Sequence, residues 1–109
     1  MQTKTLHIVL DYLQDTFHFD KDETRKLLVM LRKTLADALP ILKREDTDSI
    51  YHRSHKLHSE FQICGHQPLS DLAQTIERQA KKGIIEREKI NDLLTQCAAL
   101  NVEIGEWLG

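Results

Sequence analysis

"DTDSIYHRSHKLHSEFQICGHQPLSDLAQTIERQAKKG", residues 46–83, reads as two helices with a sharp break between them. Asp46, Thr47 and Asp48 offer side-chain oxygens to the unsatisfied N–H groups of a helix start, so a helix is expected over about 48–64. Gly65 ends it and Pro68 opens the next, as helix ends and helix starts prefer. That next helix carries Leu69, Leu72, Ala73, Ile76 and Ala80 inward as far as Lys82, and Gly83 stops it. Two helices joined by so short a connection pack as antiparallel neighbours.

The rest of the chain extends the same pattern. A first helix is expected over about 3–16, with Leu6, Val9, Leu10, Leu13 and Phe17 on one face. After a break at His18, Phe19 and Asp20, the spacing of Asp20 and Glu23 is that of a capping box. The helix it opens carries Leu27, Leu28, Leu31, Leu35, Leu39 and Leu42 and runs to about Arg44, with Pro40 expected to kink it or loosen its last turn. A last helix starts near Ile85 or Glu86 and turns Ile90, Leu93, Leu94, Cys97, Leu100, Ile104, Trp107 and Leu108 inward. Neither an Asn-Gly or Asp-Gly hairpin signal nor a run of alternating β-branched residues occurs. The expected architecture is all-α: one domain over 1–109, an antiparallel four-helix bundle with a short N-terminal helix capping one end.

Composition narrows the function. The chain has 109 residues, 40% of them hydrophobic, enough for one core, and a formal charge of −2. Basic residues are interspersed with acidic ones, so nucleic-acid binding is not expected. The apolar runs are too short to span a bilayer, and the N-terminus lacks a signal-peptide core. Cys64 and Cys97 match no motif spacing and read as packed free thiols of a cytoplasmic protein. No phosphate-binding loop or glycine-rich kinase loop is present, so ATP binding and self-phosphorylation are not expected.

Half of the six histidines stand at three-residue spacing in one helix: His52, His55 and His58. At about 100° per residue, Ile50, Ser54, Leu57, Phe61 and Cys64 form its core stripe. His55 falls about 160° from Leu57, on the outer face, with His52, Ser59 and Gln62 around it, while His58 falls to the side at about 100°. The three do not make a metal site along this one helix, because His52 and His58 diverge by about 120°. His66 lies beyond the helix end, and no acidic or cysteine pair completes a set in the sequence, so no metal is expected.

The stretches "SHKLHSEFQICG" and "PLSDLAQTIERQAKKG" resemble the histidine-containing phosphotransfer family. That family has a helix reading Ala-His-x-Leu-Lys-Gly, with a glycine ten residues after the histidine. Here Gly65 stands ten residues after His55, Leu57 occupies the leucine position, and Leu72-Ala73, Ile76 and Glu77 follow in the next helix. The helix order and the length also agree, so the likeness covers essentially the whole chain. The departures are Ser54 for alanine, His58 for lysine and Ser59 for glycine. The resemblance implies that His55 is the phosphoacceptor. It takes a phosphoryl group from the aspartate of one receiver domain, in a hybrid sensor kinase or a response regulator, and passes it to another. His58 would supply charge to the phosphoryl group only when protonated. His52, Ser59, Gln62 and His66 would meet the partner. Such a chain is a phosphocarrier rather than an autonomous enzyme. It needs no cofactor of its own, since Mg²⁺ belongs to the receiver, and a monomer is expected. The alternative is an interaction module of the same shape that binds a receiver or another signalling partner without transfer.

Overall fold

Leucines at helical spacing build the bundle, and five helices result among the described residues: α1 (Lys4–Phe17), α2 (Lys21–Leu42), α3 (Thr47–Ile63), α4 (Gln67–Lys81) and α5 (Arg87–Leu108). The computed structural model describes residues 4–109; Thr3, where the first helix was expected to begin, lies outside them. No strand occurs among the described residues. The antiparallel four-helix bundle is formed by α2 to α5, and α1 packs chiefly on α5. One core joins Leu6, Leu28, Leu35, Ile50, Leu57, Phe61, Leu69, Ile76, Leu93 and Ile104, all buried, and draws on every helix.

The helix ends follow their sequence signals. The capping box is complete: the Glu23 N–H donates to Asp20 Oδ1 at 2.8 Å and the Asp20 N–H donates to Glu23 Oε1 at 2.9 Å. The Asp46 side chain accepts from the Asp48 N–H at 3.0 Å and starts α3. α2 ends at Leu42, two residues before the expected limit of Arg44. Pro40 has no N–H to donate to the carbonyl one turn back, so the last turn is weakly held. Arg87 of α5 takes over there, donating to the carbonyl oxygens of Leu42 and Arg44, each at 2.9 Å. Free carbonyls at a helix C-terminus attract such a cation.

Phe17, Leu94, Trp107 and Glu103 depart from the pattern. Phe17, expected on the buried face of α1, is 48% exposed. α1 ends there, because His18 turns the chain with a φ of 54°, and Phe17 packs instead against the rings of Tyr12 and Phe19. Trp107 and Leu94 are only partly buried, and the guanidinium of Arg25 lies 5.9 Å from the Trp107 ring. Glu103 is buried, and its Oε1 accepts the Leu6 N–H at 3.0 Å, serving an otherwise unpaired donor in the first turn of α1. Cys64 and Cys97 are buried free thiols, pushed up by burial to about 11 and about 12 respectively, which keeps them protonated and unreactive.

Gly65 fixes how α1 caps the bundle. Its φ is +77°, a conformation costly for a residue with a side chain, and a Cβ there would stand 2.0 Å from Cγ of Tyr12. The ring of α1 thus rests on the bare backbone of the α3–α4 turn. Gly65→Ala is expected to destabilise the fold by about 3 kcal/mol, combining backbone strain and overpacking. In a Tyr12→Ala background the same change is expected to cost about 1 kcal/mol, the backbone share alone. Urea denaturation of the four proteins checks this.

Candidate functional site

α3 and α4 are the most intimately packed pair in the bundle. Small side chains allow it. Ala73 and Ser70 are buried on α4, and the Ser70 hydroxyl reaches the backbone of α3, donating to the His58 carbonyl at 3.3 Å. Ser54, buried on α3, folds its hydroxyl back onto the Ile50 carbonyl at 2.6 Å and leaves no polar atom unpaired. Glu77 follows Ser70 by two turns on α4 and shares its face. Side chains lean toward the N-terminus of their own helix, so on antiparallel helices they lean toward one another. That brings Glu77 across to His55 and His58.

The carboxylate meets both rings. Nδ1 of His55 lies 2.8 Å from Glu77 Oε2, and Nδ1 of His58 lies 3.1 Å from Glu77 Oε1. A carboxylate accepts only, so each Nδ1 carries a proton and donates it. A neutral imidazole has one N–H, which leaves Nε2 of His55 with its lone pair. The His55 side chain is 59% exposed, whereas those of His58 and Glu77 are 16% and 15% exposed. The Tyr51 ring lies nearly parallel to His55, 6.3 Å away between centroids. The site therefore presents one oriented nucleophilic nitrogen to solvent, held from behind by a carboxylate that is itself held by a second histidine. This is the arrangement that general-base and nucleophile sites use to fix a tautomer.

Of the residues expected to meet a partner, His52 and Gln62 are exposed and Ser59 is half-buried, on the same helix as His55. His52 sets its ring edge-on to Tyr51 at 5.2 Å. His66 does not belong with them. It is 2% exposed, packs its ring 5.9 Å from Phe61, and caps α4, its Nδ1 accepting the Leu69 N–H at 3.3 Å. The tight turn at Gly65 folds His66 under the start of α4 instead of outward. His58, placed on the flank by the helical projection, is turned in toward α4 by its bond to Glu77. Glu77 itself drew no role from the sequence, although it stands at a family position. Its one signal is a carboxylate at the edge of an apolar face, one residue after Ile76. It also changes the metal argument. The carboxylate that completes a set comes from α4, and His55, His58 and Glu77 place their ligand atoms within 4.8 Å of one another, without His52.

The helical bundle thus holds an exposed histidine in mid-helix, hydrogen-bonded to a carboxylate from the neighbouring helix. The family model described as Hpt domain matches residues 21–103, and the chain belongs to that family. It thereby has a phosphotransfer-related role in phosphorelays, in which such domains engage receiver domains. No curated protein and no solved structure matches the chain significantly. No helix among the described residues is long and apolar enough to cross a membrane.

Glu77→Ala removes the acceptor for both Nδ1 protons and frees the His55 tautomer. Phosphoryl uptake is expected to slow about ten- to a hundred-fold, the usual cost of losing an orienting partner, with helical content unchanged by circular dichroism. A second expectation concerns His66. Burial holds its pKa below the ordinary histidine value, and the nearby Glu103 charge offsets this in part. The unfolded chain then takes up the proton first. The His66 contribution is fully present above about pH 6.5 and is lost as pH falls below it. His66→Asn keeps a capping side chain but cannot titrate. Its stability deficit relative to the parent chain is expected to shrink as pH falls from 7 toward 5, read by urea denaturation across that range.

Proposed function

We propose that the chain is a phosphorelay carrier in which His55 is the phosphoacceptor. Nε2 of His55 attacks the phosphorus of a receiver's aspartyl phosphate. A P–N bond forms, the P–O bond to the aspartate breaks, and the carboxylate leaves with its electron pair. The reverse step on a second receiver returns the imidazole. The observation that carries this reading is the 2.8 Å contact of His55 Nδ1 with Glu77 on a ring that is otherwise open to solvent. It leaves the free lone pair on the outward nitrogen. Phosphoryl transfer rests mostly on positioning and charge stabilisation. The chain supplies the position, and the receiver supplies Mg²⁺ and most of the charge.

His58 enters as the second N–H on Glu77, and its charge, when protonated, is available to the phosphoryl group from one turn away. The face of His52, His55, Ser59 and Gln62 is the docking surface, small and transient in character. The carrier acts as a monomer in the cytoplasm, and two buried unpaired thiols support the cytoplasmic half of that reading.

The test is acid-labile phosphate on the chain after incubation with a phosphorylated receiver. His55→Gln is expected to fold normally and take up none. Phosphate persisting in that variant, or mapping to His52 or His58, overturns the assignment. Receiver binding without any transfer by the parent chain favours the interaction module instead. Ser59→Arg sets a long cation beside the acceptor. It is expected to weaken receiver binding about tenfold or more while leaving the melting temperature within the small range of exposed substitutions.

A further inference from the structure

His55, His58 and Glu77 come from two helices and converge on one point, where each offers a ligand atom within 4.8 Å of the others. Two imidazole nitrogens and one carboxylate are the donor set of a three-ligand zinc centre, with a fourth position left to water. In a tetrahedral centre with bonds of about 2.0–2.1 Å, neighbouring ligand atoms stand about 3.3 Å apart. The nitrogen–oxygen separations here are 2.8 Å to Glu77 Oε2 and 3.1 Å to Glu77 Oε1, two different oxygens, and with one ligand atom from each residue within 4.8 Å of the others, a turn of the carboxylate and of the His55 ring brings them to that spacing. The two semi-buried members are already held in place, and the exposed His55 ring is the one free to adjust. Nothing in the transfer chemistry requires both histidines to share one carboxylate. His58 stands where the family pattern has lysine, a residue that seldom serves as a metal ligand, so the donor set arises from this chain's own departure.

We propose that His55, His58 and Glu77 form a binding site for a divalent transition-metal ion of the zinc class, and that the bound ion silences His55. The ion takes the lone pair of Nδ1. The protons that Nδ1 of His55 and Nδ1 of His58 held toward Glu77 are given up to water, and each neutral imidazole bound in this way takes a proton from water on Nε2 instead. No proton is lost or gained overall, and no electron moves. The outward nitrogen becomes an N–H donor and has no lone pair for phosphorus. The ion thus acts from behind the ring, on the nitrogen that does not react, by reversing the tautomer that Glu77 otherwise sets. The silencing half rests on the carrier reading above; the binding half does not.

The experiment titrates the full chain with Zn²⁺ alone against a chromophoric chelator. One ion per chain is expected. His58→Gln and Glu77→Gln are each expected to weaken binding by on the order of tenfold or more, since even outer-shell changes at metal sites cost that much. His7→Gln, on the exposed face of α1 and outside this set, is expected to leave it unchanged. Absence of stoichiometric binding, or binding indifferent to both His58→Gln and Glu77→Gln, overturns the site. Long-range ¹⁵N–¹H spectra of the His55 ring are expected to show the proton on Nδ1 without zinc and on Nε2 with it; an unchanged tautomer in the zinc-loaded chain overturns the switch. Phosphoramidate, a small phosphoryl donor, then tests the consequence with no receiver metal in the assay. Saturating zinc is expected to slow uptake at His55 tenfold or more, and undiminished uptake by the loaded chain also overturns the switch. Failure of the carrier reading is recognised separately, as no uptake from receiver or phosphoramidate in the metal-free chain, while the binding and tautomer measurements still decide the site.

Discussion

Close contact between α3 and α4 is the constraint on which the site depends. The Ser70 hydroxyl touches the backbone of α3 at the His58 carbonyl, which only a small side chain between the helices permits. With Ala73 one turn on, the two backbones approach far enough for Glu77 to reach both histidine rings. A larger residue at Ser70 or Ala73 would push the helices apart and leave His55 as a solvated ring of mixed tautomer.

Glu77 then divides the labour among the histidines. The two N–H donors use both oxygens of a largely buried carboxylate, so each oxygen accepts a hydrogen bond. His58, the less exposed ring, steadies the carboxylate, and the carboxylate orients the more exposed ring of His55. Activation of a nucleophile by a positioned acceptor needs such a chain of support, because the first group is only as fixed as the one behind it.

The far end of the site is held by the turn that joins the two helices. Gly65 takes a left-handed conformation and leaves its face bare for the Tyr12 ring, so α1 closes the bundle over the α3–α4 connection. The same turn carries His66 inward to cap α4. Capping, covering and register are therefore set within a few residues, and the position of Glu77 along α4 relative to His55 follows from where α4 begins.

Helix number, order and near boundaries were legible in the sequence, because they depend on local chemistry: leucine spacing, Asp20 with Glu23, Asp46, Gly65, Pro68 and Gly83 act within a turn of where they stand. The outward direction of His55 and the buried stripe from Ile50 to Cys64 were legible for the same reason, since one helix's periodicity fixes them. What lay between helices was not. Glu77, the inward turn of His58, the burial of His66 and the use of Glu103 by the first turn of α1 each depend on an atom from a distant part of the chain. A projection of α3 alone finds His52 and His58 too divergent to share an ion and no pair that completes a set, which is correct for α3 and wrong for the folded pair. Sequence by itself determined which residues face out from each helix. Only the tertiary structure decided which of those residues meet, because that rests on how closely two backbones pack and on the register between them.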